Sequence, residues 1–190
     1  WCNAYSEMSG FTPCYTYSGS TIKDSRDTNA TACNSAVCNW SANGYRLPSE
    51  GEWQYVASNK GATPYDYASG ATASCSNSTE TGRVAWYYTN SGGSTKNVET
   101  KAANALGLYD MSGNVSEWCW DWYGTNYPTS PQTNYRGFAS GSYRTIRGGG
   151  WDTTSERLRL GVRNYCDPKL SRASVYANNE FGFRVARSTP

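Results

Sequence analysis

Histidine is absent from this chain of 190 residues. That one absence removes Ser-His-Asp and Cys-His nucleophile systems, histidine general bases and every His-ligated metal site. Long apolar side chains are also scarce, since Leu, Ile, Val and Phe together supply only 20 of 190 residues, a share at which disorder is suspected in a highly charged chain. This chain is not highly charged. Asp, Glu, Lys and Arg make up 17% and leave a net charge of +2, so bulk charge gives no reason to expect nucleic acid or acidic lipid as a partner. No stretch approaches the roughly 18 consecutive apolar residues of a membrane-crossing helix, and no membrane span is expected.

What replaces the missing aliphatics is aromatic: 16 Tyr, 8 Trp and 4 Phe, rings that each cover about 150–250 Å² when buried. The length suits one domain over 1–190. Seven cysteines in a Tyr, Ser, Thr, Asn and Gly-rich chain point to an exported, oxidising setting, and the odd count leaves one thiol without a partner in the chain. The alternative for each cysteine is a small buried hydrophobe. No CxxC pair exists, which argues against a four-cysteine zinc site.

Along the chain, Trp1 to Gly10 reads as the end of a helix closed by glycine. In YRLPSEGEWQYVASNKG, Ser49 and Glu52 form an S-x-x-E capping box, Trp53 and Val56 share a face, and Gly61 stops the helix. VAWYY looks like a strand. So do RTIR, RLRLGVRN and FGFRVAR, the last two alternating arginine with apolar residues at period two. Trp118, Trp120 and Trp122 alternate too, which places them on one strand face, expected to be core. The sum is α+β, with one or two helices, a small twisted antiparallel sheet and long loops.

Four passages in this order, NGYRLPSEGEWQYVA, NALGLYDMSGNVSEWCWDWY, RTIRGGGW and FGFRVAR, resemble the formylglycine-generating enzyme (sulfatase-modifying factor) family, a branch of the C-type lectin fold. The opening WCNAYSEMSGFTPCYT and the loop style are closer to the family's non-catalytic variable proteins of treponemes, which a diversity-generating retroelement alters to bind changing ligands. The resemblance implies strands ahead of the opening helix, so the domain is expected to lack its first strands, whether truncated, cleaved or supplied by a partner chain. The family's enzyme binds copper(I) through two cysteines shortly after the GG-x-aromatic motif. Those places fall on or near Thr153 and Leu158, with Cys166 the only later cysteine. A hydroxyl and an isobutyl group do not replace two soft thiolates, so neither copper nor formylglycine synthesis is expected. The resemblance does imply a calcium site, made by side-chain oxygens of Asp110 and Glu117 and by the carbonyls of Gly113 and Val115, hard oxygen ligands of the kind calcium prefers. Asp110 and Glu117 capping loop amides is the alternative.

The expected function is therefore non-catalytic recognition of a protein or glycan ligand, at the cell surface or secreted, through the segment between RGGGW and FGFR. That segment offers Asp152, Thr153, Thr154, Glu156, Asn164, Tyr165, Lys169 and Tyr176, a paratope-like mixture of adaptable hydrogen-bonding groups and rigid rings. The alternative is a structural subunit of an extracellular or envelope assembly. A copper-dependent oxidase is the remote one.

Overall fold

The computed structural model describes residues 1–23, 31, 35–168 and 180–188. In chain order its elements are α1 (Cys2–Met8), β1 (Tyr15–Tyr17), β2 (Ser20–Thr21), β3 (Val37–Cys38), β4 (Tyr45–Arg46), α2 (Glu50–Ala57), α3 (Ser78–Val84), β5 (Ser116–Trp122), β6 (Arg144–Arg147), a 3-10 turn (Ser155–Leu158), β7 (Asn164–Cys166), β8 (Phe181–Gly182) and β9 (Ala186–Arg187). The architecture is α+β. The chain divides into two compact units, Trp1–Pro48 with Arg184–Pro190, and Ser49–Phe183.

The first unit holds α1 and two small antiparallel sheets, ordered β2-β1-β3 and β4-β9. Buried Asn3 ties the helix to the first sheet: its amide donates to the Tyr15 and Ile22 carbonyls at 2.7 and 2.8 Å and accepts from the Tyr15 amide at 2.9 Å. Ser6 does the same for β4, accepting from the Tyr45 amide at 2.7 Å.

The second unit is built on α2 and a four-stranded sheet, order β7-β6-β5-β8, in which β8 runs parallel to β5 and the other pairs are antiparallel. The capping box at Ser49 and Glu52 is present in both directions. The helix ends at Ala57, earlier than Gly61, which lies beyond it at φ +87°. Trp53, Ala57, Met111, Cys119 and Leu160 form one core cluster, with Val56 against it. Ala68, Ala71, Val84, Ala85, Tyr87 and Leu158 belong to a second.

Four sequence expectations need correction. VAWYY is not a strand: Val84 ends α3, a third helix capped by the Asn77 side chain on the Glu80 amide, and residues 85–87 pair with no strand. RLRLGVRN alternates in burial, Leu158 and Leu160 being buried, yet Ser155–Leu158 is a 3-10 turn and only Asn164 onward is strand. On β5 the more buried side carries Glu117, Cys119 and Asp121; of the three tryptophans Trp122 is buried as expected, while Trp118 and Trp120 are partly exposed. The tryptophan side is covered by other means: the Arg144 guanidinium lies over the Trp120 and Trp122 rings at 4.5 and 3.6 Å, and Trp118 packs on Phe181 at 5.7 Å. Finally FGFRVAR, expected as one strand, holds two short ones, Phe181–Gly182 and Ala186–Arg187, and Phe183 between them is 45% exposed.

Polar residues can occupy the inner face of β5 because each finds a partner. The Trp53 indole donates to Glu117 Oε2 at 2.7 Å, and the Glu50 amide, at the start of α2, donates to Asp121 Oδ2 at 2.7 Å. Glu50 is itself buried and accepts from Arg163 on both oxygens at 2.6 Å, with Arg147 Nε 3.4 Å away and the Tyr127 hydroxyl donating at 3.1 Å. Arg147 donates to the Leu160 carbonyl at 2.8 Å and also to the Val162 carbonyl and Gln54 Oε1. Among the described residues six cysteines are free thiols, five of them buried.

Candidate functional site

After β6 the chain must reverse within a few residues. Gly148 and Gly149 do this at φ +89° and +71°, a region that side chains with a Cβ rarely adopt. The turn brings residues 152–154 beside β7. The result is a cavity of about 590 Å³, walled by Asp152, Thr153 and Thr154 on one side, by Asn164, Tyr165 and Cys166 on another, and by Glu180 and Phe181 at β8.

Of the eight expected ligand-binding residues, five line this cavity: Asp152, Thr153, Thr154, Asn164 and Tyr165. Glu156 stands on the adjoining 3-10 turn, exposed and outside the described lining; hydrogen bonds from its own amide and from Thr154 hold its carboxyl below the usual range. Lys169 and Tyr176 lie outside the described residues. Tyr165 is half-exposed and joins a ring cluster, with Tyr123 and Tyr143 at 4.6 and 4.9 Å between centroids. Such tilted pairs hold the ring in place beside the cavity that it lines. Asn164 Oδ1 accepts from the Tyr165 amide at 2.9 Å.

Sequence reasoning missed Tyr143, Arg157, Cys166 and Glu180 in this lining. A usable signal existed for two of them, since Cys166 continues β7 two residues after Asn164 and Tyr143 immediately precedes β6. Burial, and then the neighbouring Asp152 carboxylate, push the Glu180 carboxyl above its usual range.

Thr153 and Leu158, on or near which the family resemblance places the enzyme's thiolates, approach one glycine. A Cβ built on Gly149 would meet Thr153 Oγ1 at 2.9 Å and Leu158 Cδ2 at 3.0 Å, so both side chains converge on that glycine. Neither is a soft ligand: the Thr153 hydroxyl donates to the Gly150 carbonyl at 2.9 Å and Leu158 is buried hydrocarbon. Cys166 is the cavity's cysteine, and burial raises its pKa, which disfavours the thiolate that nucleophilic or metal chemistry requires.

Of the expected calcium ligands, Asp110, Gly113 and Val115 lie in the loop entering β5, and Glu117 is the second residue of the strand, where its Oε2 accepts from the Trp53 indole. Asp110 has φ +54°, and its Oδ2 accepts from the Glu99 amide at 2.9 Å, while Oδ1 is buried with no hydrogen-bond partner. Gly113 at φ +81° leaves no room for a Cβ, which would meet the Trp86 carbonyl oxygen at 2.3 Å. Val115 is partly buried and Glu117 buried. Among the described residues no three His, Cys, Asp or Glu side chains are grouped to hold a metal, so this set depends on its two carbonyls. Its chemistry suits calcium: every donor is an oxygen, and Asp110 Oδ1 is a buried acceptor that a cation would satisfy.

Residues 14–189 match the Sulfatase-modifying factor enzyme 1-like domain. The chain belongs to that family. It is 36% identical over 169 residues to the chaperone protein LppX of Paenibacillus barcinonensis, covering 80% of this chain and 54% of LppX. It is 33% identical over 169 residues to the formylglycine-generating enzyme of Streptomyces coelicolor, covering 80% of this chain and 48% of the enzyme. It therefore spans about half the length of these relatives. Among solved structures, the Treponema denticola variable protein 1 superposes with a TM-score of 0.82 at 34% identity, over 98% of this chain and 66% of that one. No described helix is long and apolar enough to cross a membrane.

Proposed function

We propose that this chain is a non-catalytic recognition domain that holds its ligand in the cavity between residues 152–154, β7 and β8. One observation carries the reading: Thr153 and Leu158 converge on Gly149, and beside Thr153 is an open cavity walled by Asp152, Thr154, Asn164 and Tyr165. The family resemblance puts the enzyme's thiolates on or near these two places, so in this reading a hydroxyl and hydrocarbon stand in their stead, with recognition groups beside them. The likeness to the Treponema denticola variable protein 1 over nearly the whole chain supports the same reading. In it the domain works outside the cytoplasm, in keeping with its Tyr, Ser, Thr and Asn-rich composition, and one calcium ion held by Asp110, Glu117 and the Gly113 and Val115 carbonyls braces the loop leading into β5.

The test is an alanine series at Asp152, Thr154, Asn164 and Tyr165, scored for capture of peptides selected on the wild-type protein from a random displayed library and of a glycan array. Loss of capture with the fold retained supports the reading. Formation of aldehyde from a cysteine-containing sulfatase peptide in the presence of copper(I) and oxygen overturns it.

A further inference from the structure

The cavity beside β7 carries an unequal set of charges. Three carboxyl side chains, Asp152, Asp167 and Glu180, line it with a single cation, Arg157. Asp152 and Glu180 are neighbours in space: a Cβ built on Gly150 would stand 3.1 Å from Asp152 Oδ1 and 3.7 Å from the Glu180 carbonyl oxygen, so both residues lie around that one glycine. Among the described residues neither of these two carboxylates is within ion-pair distance of a lysine or an arginine. Burial, and then the Asp152 charge, push the Glu180 carboxyl up. A carboxylate that owns a cation behaves in the opposite way, as Glu80 does, held down at about 2 chiefly by its hydrogen bonds from Arg83. A partly buried carboxylate beside a second one is an electrostatic cost, and an arriving positive charge removes it.

The form of that charge follows from the rest of the wall. Among the described residues no three His, Cys, Asp or Glu side chains are grouped to hold a metal ion, so the carboxylates are too spread for a bare cation. An elongated one suits them. Tyr143, Tyr165 and Phe181 line the same cavity, both tyrosines nearly half exposed, and rings along an alkyl stem with carboxylates at its charged end are the ordinary surroundings of a basic side chain. The chain builds this arrangement once for itself: Arg163 forks Glu50 while its guanidinium lies 4.1 and 5.1 Å from the Tyr127 and Tyr123 ring centroids. A neutral sugar fits less well, because its hydroxyls donate to carboxylates but leave the repulsion between Asp152 and Glu180 in place.

We propose that the cavity takes a lysine or arginine side chain of a partner protein, its alkyl stem along Tyr165 and its charged end on the Asp152 and Glu180 carboxylates, which rests on the recognition reading above and names the class of its ligand. Arg157 then stands as the one group that opposes the ligand, and the carboxyls in the lining outnumber it.

The experiment titrates the full chain by calorimetry with N-acetyl-Ala-Ala-Lys-Ala-Ala-amide and its arginine counterpart, each beside a neutral isostere that carries acetyl-lysine or citrulline, with lactose in parallel. Saturable binding of a basic peptide is expected, weakened about tenfold or more in its neutral isostere and in Asp152→Asn with Glu180→Gln. Both substitutions keep the size of the side chain, and a melting curve checks the fold. Glu99→Gln, an equal change of charge at an exposed residue outside the lining, leaves the affinity unchanged. Absence of saturation at millimolar peptide, equal affinity of the neutral isosteres, affinity unmoved in the double variant, or saturation by lactose in place of the peptides overturns the proposal. Library peptides that the cavity captures without any basic residue overturn this proposal alone, whereas capture that survives the alanine series overturns the recognition reading with it.

Discussion

Arg163 grips Glu50 with both arms of its guanidinium, Nε on one carboxylate oxygen and a terminal nitrogen on the other, each at 2.6 Å. The two residues are 113 positions apart in the chain. One stands in the first turn of α2 and the other immediately before β7, so the pair fixes the start of the strand that carries Asn164 and Tyr165 into the cavity. Removing one member of a buried pair leaves an uncompensated charge, which typically costs about 3–5 kcal/mol. Glu50→Ala should cost at least as much as Arg163→Ala, because it strands Arg147 as well as Arg163. Urea midpoints of the two single variants and the double variant check this, with the double variant expected to lose less than the sum.

Asp121 sets the pH dependence. Burial is the main reason that its carboxyl is pushed up to about 6. A folded pKa above the unfolded value means that the native state binds the extra proton, so stability falls as pH rises from about 4 to about 6 and is flat above that. The span of about two units corresponds to about 2–3 kcal/mol. In Asp121→Asn an oxygen still accepts from the Glu50 amide, and the slope in that window should shrink to the part that the raised Glu180 carboxyl contributes. Urea unfolding at a series of pH values between 4 and 7 measures it.

The copper argument predicts a null result with a matched gain. Wild-type protein should show no stoichiometric thiolate-copper(I) absorbance. Placing two thiols beside Gly149, Thr153→Cys with Leu158→Cys, should create it, since both side chains lie about 3 Å from where a Cβ on that glycine would stand. Copper bound equally by the wild type, and lost in Cys166→Ser, would mean that the site lies on β7.

Calcium, if held as proposed, stabilises the fold by linkage: at free calcium one hundred times its dissociation constant the gain is about 2.7 kcal/mol. Melting should shift downward on chelation in the wild type, and not in Asp110→Ala. An unchanged melting point in the wild type contradicts the site.

Much of this was legible in the sequence where a local rule sufficed. Ser49 and Glu52 announce α2 because a capping box needs only four residues. Alternation in RLRLGVRN gave the burial of Leu158 and Leu160 correctly but not the backbone, since a 3-10 turn can also place neighbours on opposite sides. α3 carries a cap signal, Asn77 followed by Glu80, but its residues STETGRV are weak helix formers and only Thr81 and Val84 are buried. The inner face of β5 was hidden for a different reason: Glu117 and Asp121 are acceptable inside only because Trp53 and the Glu50 amide, more than 60 residues away, donate to them. In the site, Asp152 through Thr154 followed from the motif, whereas Glu180 needed the three-dimensional return of the chain along β5.

The central claim is that the cavity residues serve recognition and not the fold, and paired readings on one variant test it most directly. Asp152→Ala with Asn164→Ala should unfold within about 1 kcal/mol of the wild type, as exposed substitutions away from core contacts do, and should lose capture of library peptides selected on the wild-type protein. Destabilisation well beyond that, or capture that survives both substitutions, contradicts the account.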